Sequence, residues 1–593
     1  MVGTIDSTGE FRLKPAADVP SPSVQSPLLS APRNSSREAW AIGGICLVLA
    51  VVLRVIRVSY RELFGDELWT VSLLQHPQLG DSLLDRVFHG HLPFYYDFMA
   101  LWTSVFGGLK PIEVGVLRAP SVVFGLLTFV AFIFFAQRYL KGLAFAVCVI
   151  AFAMNPILVA SSNHVAPFAL LGLFTVLSNY FCIRGLDEGG KRNWSLWAVF
   201  SLLGALTHPF FWFLLAGQFV FGLMRPRRTP RPFYVLSIVG ALAAISTTVW
   251  AALYAGINYP RKVDVAAPAI DDMARALVSV LLGDLPRYGY NDKAFLQAVL
   301  YLFVLVTLVL SVFYYRRRAE EAAAMPENVV FIDMTQDVVG FWTRLSLASF
   351  LLFQWITFIV PALGIWLVGS YASDMTLEPE YFLVCLPSLV ILTAAGIDAT
   401  RPSSSTSIGA SWRRWVAVGL GVVFTIIMAI YTTMALTDHG FGLQKAAGRM
   451  VDKEFDRTRD ALVIADVRGM ENAVGMHLTE QGFIPDVMLR GKEQPTEIND
   501  LMTSAIRGKN RVFVFYHNDY RRVGRGERSF MREWFNDQRN AGIISTDVDK
   551  WGMSRPEGTE LRLYRRAVPA VSPRPASEIT TSTAPLEVTP TSD

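Results

Sequence analysis

Apolar runs of about 20 residues recur along the chain, and that is the length a helix needs to cross a bilayer. The first covers 39–58. Others fall near 113–136, 143–160, 166–183, 195–210, 211–224, 233–255, 295–314, 344–369, 381–398 and 415–436. The pattern predicts about eleven transmembrane helices. Asp66–Gln75 and Pro93–Gly107 read as amphipathic helices at the membrane face, the second being the alternative for a further span. A polar loop over 256–294 contains Ala274–Leu282, which reads as a short interfacial helix. Beyond about residue 438 the pattern changes. Ala461–Val467, Arg511–His517 and Glu560–Arg565 alternate or run apolar as strands do, with helical stretches between them. The fold class is therefore an α-helical polytopic membrane protein over 39–437, with a C-terminal α/β domain over 438–567. Residues 1–38 and 568–593 are polar and rich in Pro and Ser or Thr, and are read as disordered tails.

Composition agrees. The 593 residues are 52% hydrophobic, with mean hydropathy +0.36. Net charge is +4, too little to argue for nucleic acid. The basic residues instead fall in short clusters between apolar runs. Alternating the spans places Arg138 and Lys141, Arg184 with Lys191 and Arg192, Arg225 to Arg231, Arg316 to Arg318, and Arg401 with Arg413 and Arg414 on one side. That side is the cytoplasm by the positive-inside rule, together with the N-terminus that carries Arg33 and Arg37. Loop 59–112, loop 256–294, the turns at Asn155–His164, His208 and Asp374–Glu380, and the α/β domain fall on the other. Counting Pro93–Gly107 as a span inverts everything after it, so that reading is set aside. Cys46, Cys148, Cys182 and Cys385 all lie in apolar runs, as small core residues do. No cleavable signal peptide, internal repeat or Gly-rich phosphate loop is visible. The architecture points to a bacterial inner membrane.

Loop 59–112 concentrates ionisable groups at a membrane edge: Asp66 and Glu67, then His89 and His91. Such groups beside a bilayer are a functional-site hypothesis. A carboxylate there suits a general base for an acceptor proton, and Arg, Lys, His or a metal suits a departing phosphate. Each residue also has a plainer reading. Asp66 after Gly65 reads equally as a helix N-cap, with Glu67 favouring the positive helix end. Arg118 reads as a snorkelling anchor, His91 as a cap, and Tyr95, Tyr96 and Trp102 as interface aromatics. Arg54 and Arg57 are one turn apart near the end of the first span, where they could pair with Glu62 or Asp66.

Several motifs carry a resemblance. Gly65-Asp66-Glu67-Leu68-Trp69 resembles the Asp-Glu motif in the first outer loop of GT-C-fold glycosyltransferases, in the branch of the protein O-mannosyltransferases and the bacterial aminoarabinose transferase of lipid A. His91-Leu92-Pro93-Phe94-Tyr95-Tyr96 with Leu101-Trp102 is similar to that family's His-Pro-Pro-Leu-Tyr-Tyr stretch. Leu117-Arg118-Ala119-Pro120-Ser121 resembles its Arg-Leu-Pro-Ser start of the next span. Glu378-Pro379-Glu380-Tyr381 with Pro387 resembles its late Pro-x-x-Arg-Tyr segment. Asn155-Pro156 and Thr207-His208 fall at similar turns. The order and spacing agree from about residue 40 to 400.

The resemblance implies a GT-C fold and transfer of a sugar from a polyprenyl-phosphate carrier to an extracytoplasmic acceptor, by single displacement. It implies Asp66 as the base, with Glu67 and His91 beside it. Arg118, Tyr95, His164, Arg261, Lys262 and Arg287 are candidates for substrate binding. Membrane lipid and the lipid-linked donor are the implied partners. Two family arginines are missing, since Ala166 and Glu380 stand at their positions. Another cation, or a divalent Mg, Mn or Zn ion held by Asp66 and a second carboxylate, would then compensate. The departures leave two alternatives open: a transporter or flippase of lipid-linked sugar, and an inactive relative acting as a binding subunit.

Overall fold

In the computed structural model the described residues are 2–5, 11–14, 33–56, 92–106, 114–225, 229–240, 268–283, 290–323, 347–371, 377–400, 409–437, 443–465, 478–489, 495–516, 544–552 and 560–566. Val58, Leu63, Glu67, Thr70, Val71, Leu74, Val474 and Trp534 are among the further single positions.

Two short strands, β1 (Val2–Ile5) and β2 (Phe11–Lys14), pair antiparallel within the segment expected to be disordered. Helix α1 runs Arg33–Val55, starting ahead of the apolar run. Helix α2 (Pro93–Val105) opens on Pro93, whose fixed φ and missing N–H suit a first helical position. At 13 residues it is shorter than a span. Then come α3 (Val114–Gln137) and the pair α4 (Gly142–Ala153) and α5 (Pro156–Ser162). That pair bends by 41°. Pro156 accounts for the break: it cannot donate into α4, and it pushes Asn155 out of the helical region. Asn155 then accepts from Leu158 N at 2.9 Å and caps α5.

Helices α6 (Phe168–Glu188) and α7 (Lys191–Thr207) form a hairpin. It turns on Gly189 and Gly190, both at positive φ, where side chains are disfavoured. Helix α8 spans Phe211–Leu223, and residues 231–240 are also helical. Helices α9 (Ile270–Leu282), α10 (Tyr290–Ala323) and α11 (Leu347–Tyr371) follow. A 3-10 turn at Pro379–Val384 leads into α12 (Leu386–Ala399) and then α13 (Gly409–Thr437).

Among the described residues six helices are long and apolar enough to cross a bilayer, or up to seven if the bent α4–α5 pair is one span, which makes this a multi-pass membrane protein. The expected count of about eleven is not reproduced. α7, α8 and α12 lie where spans were expected but are short, at 17, 13 and 14 residues. The middle of the bundle is locked by polar side chains between helices. Trp197 Nε1 donates to Gln218 Oε1 at 2.8 Å, and Gln218 Nε2 donates to Ser178 Oγ at 3.0 Å and Asn179 Oδ1 at 2.9 Å. In a low-dielectric interior such bonds hold helices in register. At one end of the bundle Arg138, just past α3, pairs with Asp187 and Glu188 of α6.

The C-terminal unit begins with α14 (Leu443–Asp452). Its sheet has the order β4-β3-β5-β7-β6, built from β3 (Asp460–Ala465), β4 (Val487–Met488), β5 (Arg511–Tyr516), β6 (Ile544–Gly552) and β7 (Glu560–Arg566). β3 pairs parallel with β4 and β5, while β7 runs antiparallel to both β5 and β6. Alternation decides the layers. Leu462, Ile464, Phe513 and Phe515 join a core that includes Leu443, Ala446 and Met450 of α14. Ala461, Val463, Val512 and Val514 pack on the other face with Trp534 and with Met502 of α15 (Pro495–Ile506).

Candidate functional site

Glu67, Thr70, Val71 and Leu74 are helical. Their spacing puts them on one stripe of that helix. The stripe faces inward: Glu67, Thr70 and Val71 are all buried. A carboxylate on a buried stripe needs a counter-charge and bonds to both oxygens. Arg118, in the second turn of α3, supplies them. Its Nε donates to Glu67 Oε1 and its Nη2 to Glu67 Oε2, each at 2.8 Å. The two side chains are 0% and 1% exposed. Arg118 Nη1 donates to Val58 O at 3.1 Å, and Glu67 Oε1 accepts a further bond from Val165 N at 3.0 Å. The planar fork of arginine fits a carboxylate at two points, which fixes orientation as well as charge. Glu67 thus ties the segment after α1, the start of α3 and the α5–α6 turn together. Arg118, expected as a substrate contact or an anchor, has Glu67 as its partner here.

The other described candidates surround this knot. Tyr95 of α2 is fully buried, its ring edge-on to Tyr96 at 5.4 Å. His164 is half-buried in the α5–α6 turn, next to Val165. Ala166, at the position of a missing family arginine, is fully buried. His208 ends α7 and accepts from Phe210 N through Nδ1 at 3.3 Å. Its ring lies 5.9 Å from Phe168 at the start of α6 and 6.4 Å from Tyr381 in the 3-10 turn. Three turns therefore converge at the end of the bundle where α3 begins.

Helix α9 lies across the same end. Asn155 Nδ2 donates to Val280 O and Leu281 O, both at 2.9 Å, taking up carbonyls that the last turn of a helix leaves unpaired. Gly283, at φ +92°, follows; a Cβ there would stand 2.9 Å from Pro156. At the other end of α9, Pro268 O accepts from Trp366 Nε1 at 3.3 Å and from Ser370 Oγ at 3.5 Å. A helix does form over the expected Ala274–Leu282, and it starts four residues earlier, at Ile270.

Asp66, His91, Arg261, Lys262 and Arg287 lie outside the described residues. Among the described residues no three His, Cys, Asp or Glu side chains converge as a metal ion would need. Sequence reasoning singled out Glu67 and Arg118 without pairing them, and noted Asn155 only as a turn. The Asn-Pro pair was the available signal for the cap.

No family model matches the chain, and no curated protein matches it. Solved structures do. The chain is similar to ArnT from Cupriavidus metallidurans bound to undecaprenyl phosphate, with 12% identity and a TM-score of 0.43 over 90% of this chain and 98% of that one. It is similar to the Archaeoglobus fulgidus oligosaccharyltransferase in complex with Zn and sulfate, with 11% identity and a TM-score of 0.39 over 80% of this chain and 67% of that one. It is also similar to the arabinofuranosyltransferase AftD from Mycobacteria, with 13% identity and a TM-score of 0.39 over 90% and 40% of the two chains.

Proposed function

We propose that this protein is an integral membrane glycosyltransferase of GT-C type that moves a sugar from a polyprenyl-phosphate carrier to an acceptor on the extracytoplasmic face. The observation that carries the reading is the bidentate Glu67–Arg118 pair with Val165 N on the same carboxylate. Both Glu67 oxygens are engaged by donors, so Glu67 is a positioning residue rather than a base. Asp66 is its neighbour in the chain. Asp66 is then the base: its carboxylate takes the acceptor proton as the acceptor oxygen attacks the anomeric carbon. The bond from that carbon to the carrier phosphate oxygen breaks, and the phosphate leaves with the electron pair, inverting the centre. His91, Tyr95 and His164 line the acceptor side, while Arg261, Lys262 and Arg287 serve the phosphate. The end of the bundle at Arg118 faces outward and the end at Arg138 faces the cytoplasm, with the α/β domain outside. The membrane is a bacterial inner membrane.

A second reading has its own observation. Ala166 is fully buried and Glu380 stands where the family carries a cation. This favours a subunit that binds the lipid without turning it over. Transfer of label from radiolabelled polyprenyl-phosphate sugars in membranes separates the two. The native chain is expected to transfer and Asp66→Asn to lose transfer by about a hundredfold or more, the usual worth of a general base. Equal transfer by both would remove Asp66 from the mechanism, and lipid binding without transfer would select the second reading.

A further inference from the structure

Helices α1, α4 and α13 lie side by side and run the same way. Near their far ends Arg54 Nη1 donates to Ala153 O and Thr432 Oγ1 donates to Met154 O. Further back, a Cβ on Gly421 of α13 would stand 2.9 Å from Val147 and 3.9 Å from Leu143 of α4. Helix α4 is the floor between the other two. Beyond Gly142 its side chains are buried except Leu143, Ala146 and Ile150, which are half-buried and recur at three and four residues, so they form one open stripe. By helical rotation that stripe lies between the side of α4 that meets Gly421 and the side that meets Arg54. The flanking helices carry exposed apolar side chains at its level, Ile45 on α1 and Val418 and Val422 on α13. The result is a shallow apolar furrow along the bundle.

The furrow ends in basic and aromatic groups. Lys141, the N-cap residue of α4, is exposed and makes no side-chain cap bond. Arg414 stands seven residues before Gly421, so it is on the same side of α13, with buried Ala417 between them. It is nevertheless exposed, because α4 starts only at Gly142. Counted back from Gly421, Lys141 and Arg414 differ by about 5 Å in height, within reach of one phosphate group. Trp415 beside Arg414 is 72% exposed, and Arg413 lies 5.9 Å from the Trp412 ring centroid. Exposed tryptophans of this kind mark the plane where acyl chains give way to headgroups. The stretch 401–414 holds three arginines and no Asp or Glu. The described carboxylates at this end have other neighbours: Asp187 and Glu188 pair with Arg138, and Asp398 accepts from Tyr314. Glu38 follows Arg37 in the chain, and Glu320 follows Arg316 to Arg318.

We propose that this furrow holds an anionic glycerophospholipid. One acyl chain lies on the stripe of Leu143, Ala146 and Ile150, and the headgroup phosphate sits between Lys141 and Arg414. A phosphodiester keeps its charge at neutral pH and takes charge-assisted bonds from both side chains. A zwitterionic headgroup brings its own cation, for which 401–414 offers no carboxylate. The α1 and α13 spans are only 22% and 33% buried, so lipid makes up much of their packing, and a chain in the furrow joins one to the other across α4. The site is at the opposite end of the bundle from the Glu67–Arg118 pair and stands whether or not the chain transfers sugar.

The test strips the full chain of lipid in dodecyl maltoside and titrates it with phosphatidylglycerol and with phosphatidylcholine of the same acyl chains, counting bound lipid by native mass spectrometry. The native protein is expected to bind phosphatidylglycerol more tightly. Lys141→Gln with Arg414→Gln should weaken phosphatidylglycerol roughly tenfold and leave phosphatidylcholine unchanged. Both side chains are exposed, so the fold does not rest on them. Lys191→Gln with Arg192→Gln removes two exposed charges at the start of α7 and should change neither lipid. Ala146→Trp fills the stripe and should weaken both. A native chain without preference, undiminished phosphatidylglycerol binding by the Lys141 and Arg414 variant, an equal loss in the Lys191 and Arg192 variant, or full binding by Ala146→Trp overturns the proposal. Displacement of phosphatidylglycerol by glycerol phosphate at a similar concentration also overturns it, since that marks a site for soluble phosphate.

Discussion

Cutting one side of the Glu67–Arg118 pair strands the other in the interior. Arg118→Met takes both guanidinium bonds from the Glu67 carboxylate, which keeps its bond from Val165 N, and Glu67→Leu takes that carboxylate away from the Arg118 guanidinium. Each single change is expected to cost about 3–5 kcal/mol of stability, the usual penalty for an uncompensated buried charge. The double change removes both charges and leaves apolar groups of similar volume, which is often near neutral. Its residual cost is the orphaned Val165 N–H, roughly 1–3 kcal/mol. The two single losses should therefore far exceed the loss in the double variant, with a coupling at or beyond the upper end of the ~0.5–3 kcal/mol seen between residues in contact. Reversible unfolding in mixed micelles of rising SDS content measures all four corners of the cycle. Additivity within ~0.5 kcal/mol would refute the pairing as an energetic unit. The double variant also separates two roles: it should regain most of the stability and, on the function proposed above, little of the transfer, because Glu67 and Arg118 no longer tie Val58, α3 and Val165 together.

Other consequences are as direct. Gln218→Leu takes the acceptor from Trp197 Nε1 and the donor from Ser178 and Asn179, and should lower stability in micelles by about 1–2 kcal/mol. Gly204→Ala drives a Cβ into the Phe211 ring, so overpacking of about 1–3 kcal/mol is expected; a thermal midpoint at or above the native value would contradict the close approach of α7 and α8. Asp456 accepts from Thr458 N at 2.9 Å, Thr458 Oγ1 at 2.7 Å and Arg459 Nε at 2.8 Å, and the Thr458 bonds lead in holding its carboxyl below the ordinary value. A depressed folded value stabilises above the unfolded carboxylate value and is lost as pH falls through the folded one. Asp456→Asn should accordingly flatten the acid limb of the melting profile, as followed by tryptophan emission.

What could be read from the sequence was what a bilayer enforces locally. The apolar runs over 113–136 and 415–436 became α3 and α13 because a helix in lipid must satisfy its backbone within itself. The run over 211–224 became α8 nearly unchanged and too short for a span, while the first residues of the run over 381–398 form the 3-10 turn, so that α12 starts only at Leu386. The strands β3, β5 and β7 showed their alternation. β6 did not, because Ile544–Gly552 carries two aspartates and a lysine and its register slips between Ile544 and Val548. At the site, Glu67 and Arg118 were each visible as charges at a membrane edge. Their union joins positions 51 apart in the chain and depends on three segments meeting. Arg54 was read as a partner for Glu62 or Asp66; its bonds to Ala50 O and Ala153 O depend on how α1 lies against α4, which no spacing within α1 reveals.

Helix α9 is moored at both ends, by Trp366 and Ser370 on Pro268 O and by Asn155 on Val280 O and Leu281 O. The moorings fix its length in residues. One residue inserted between Pro268 and Val280 would turn everything beyond it by about 100° and advance it by about 1.5 Å. Exposed Asp271 and Arg275 and buried Ala276 and Val280 could not then all keep their sides. Insertions and deletions accumulating in descendants of this gene should therefore avoid 268–283. They should collect in the polar stretches on either side, and among related chains that sixteen-residue block (268–283) should vary in letters but not in length.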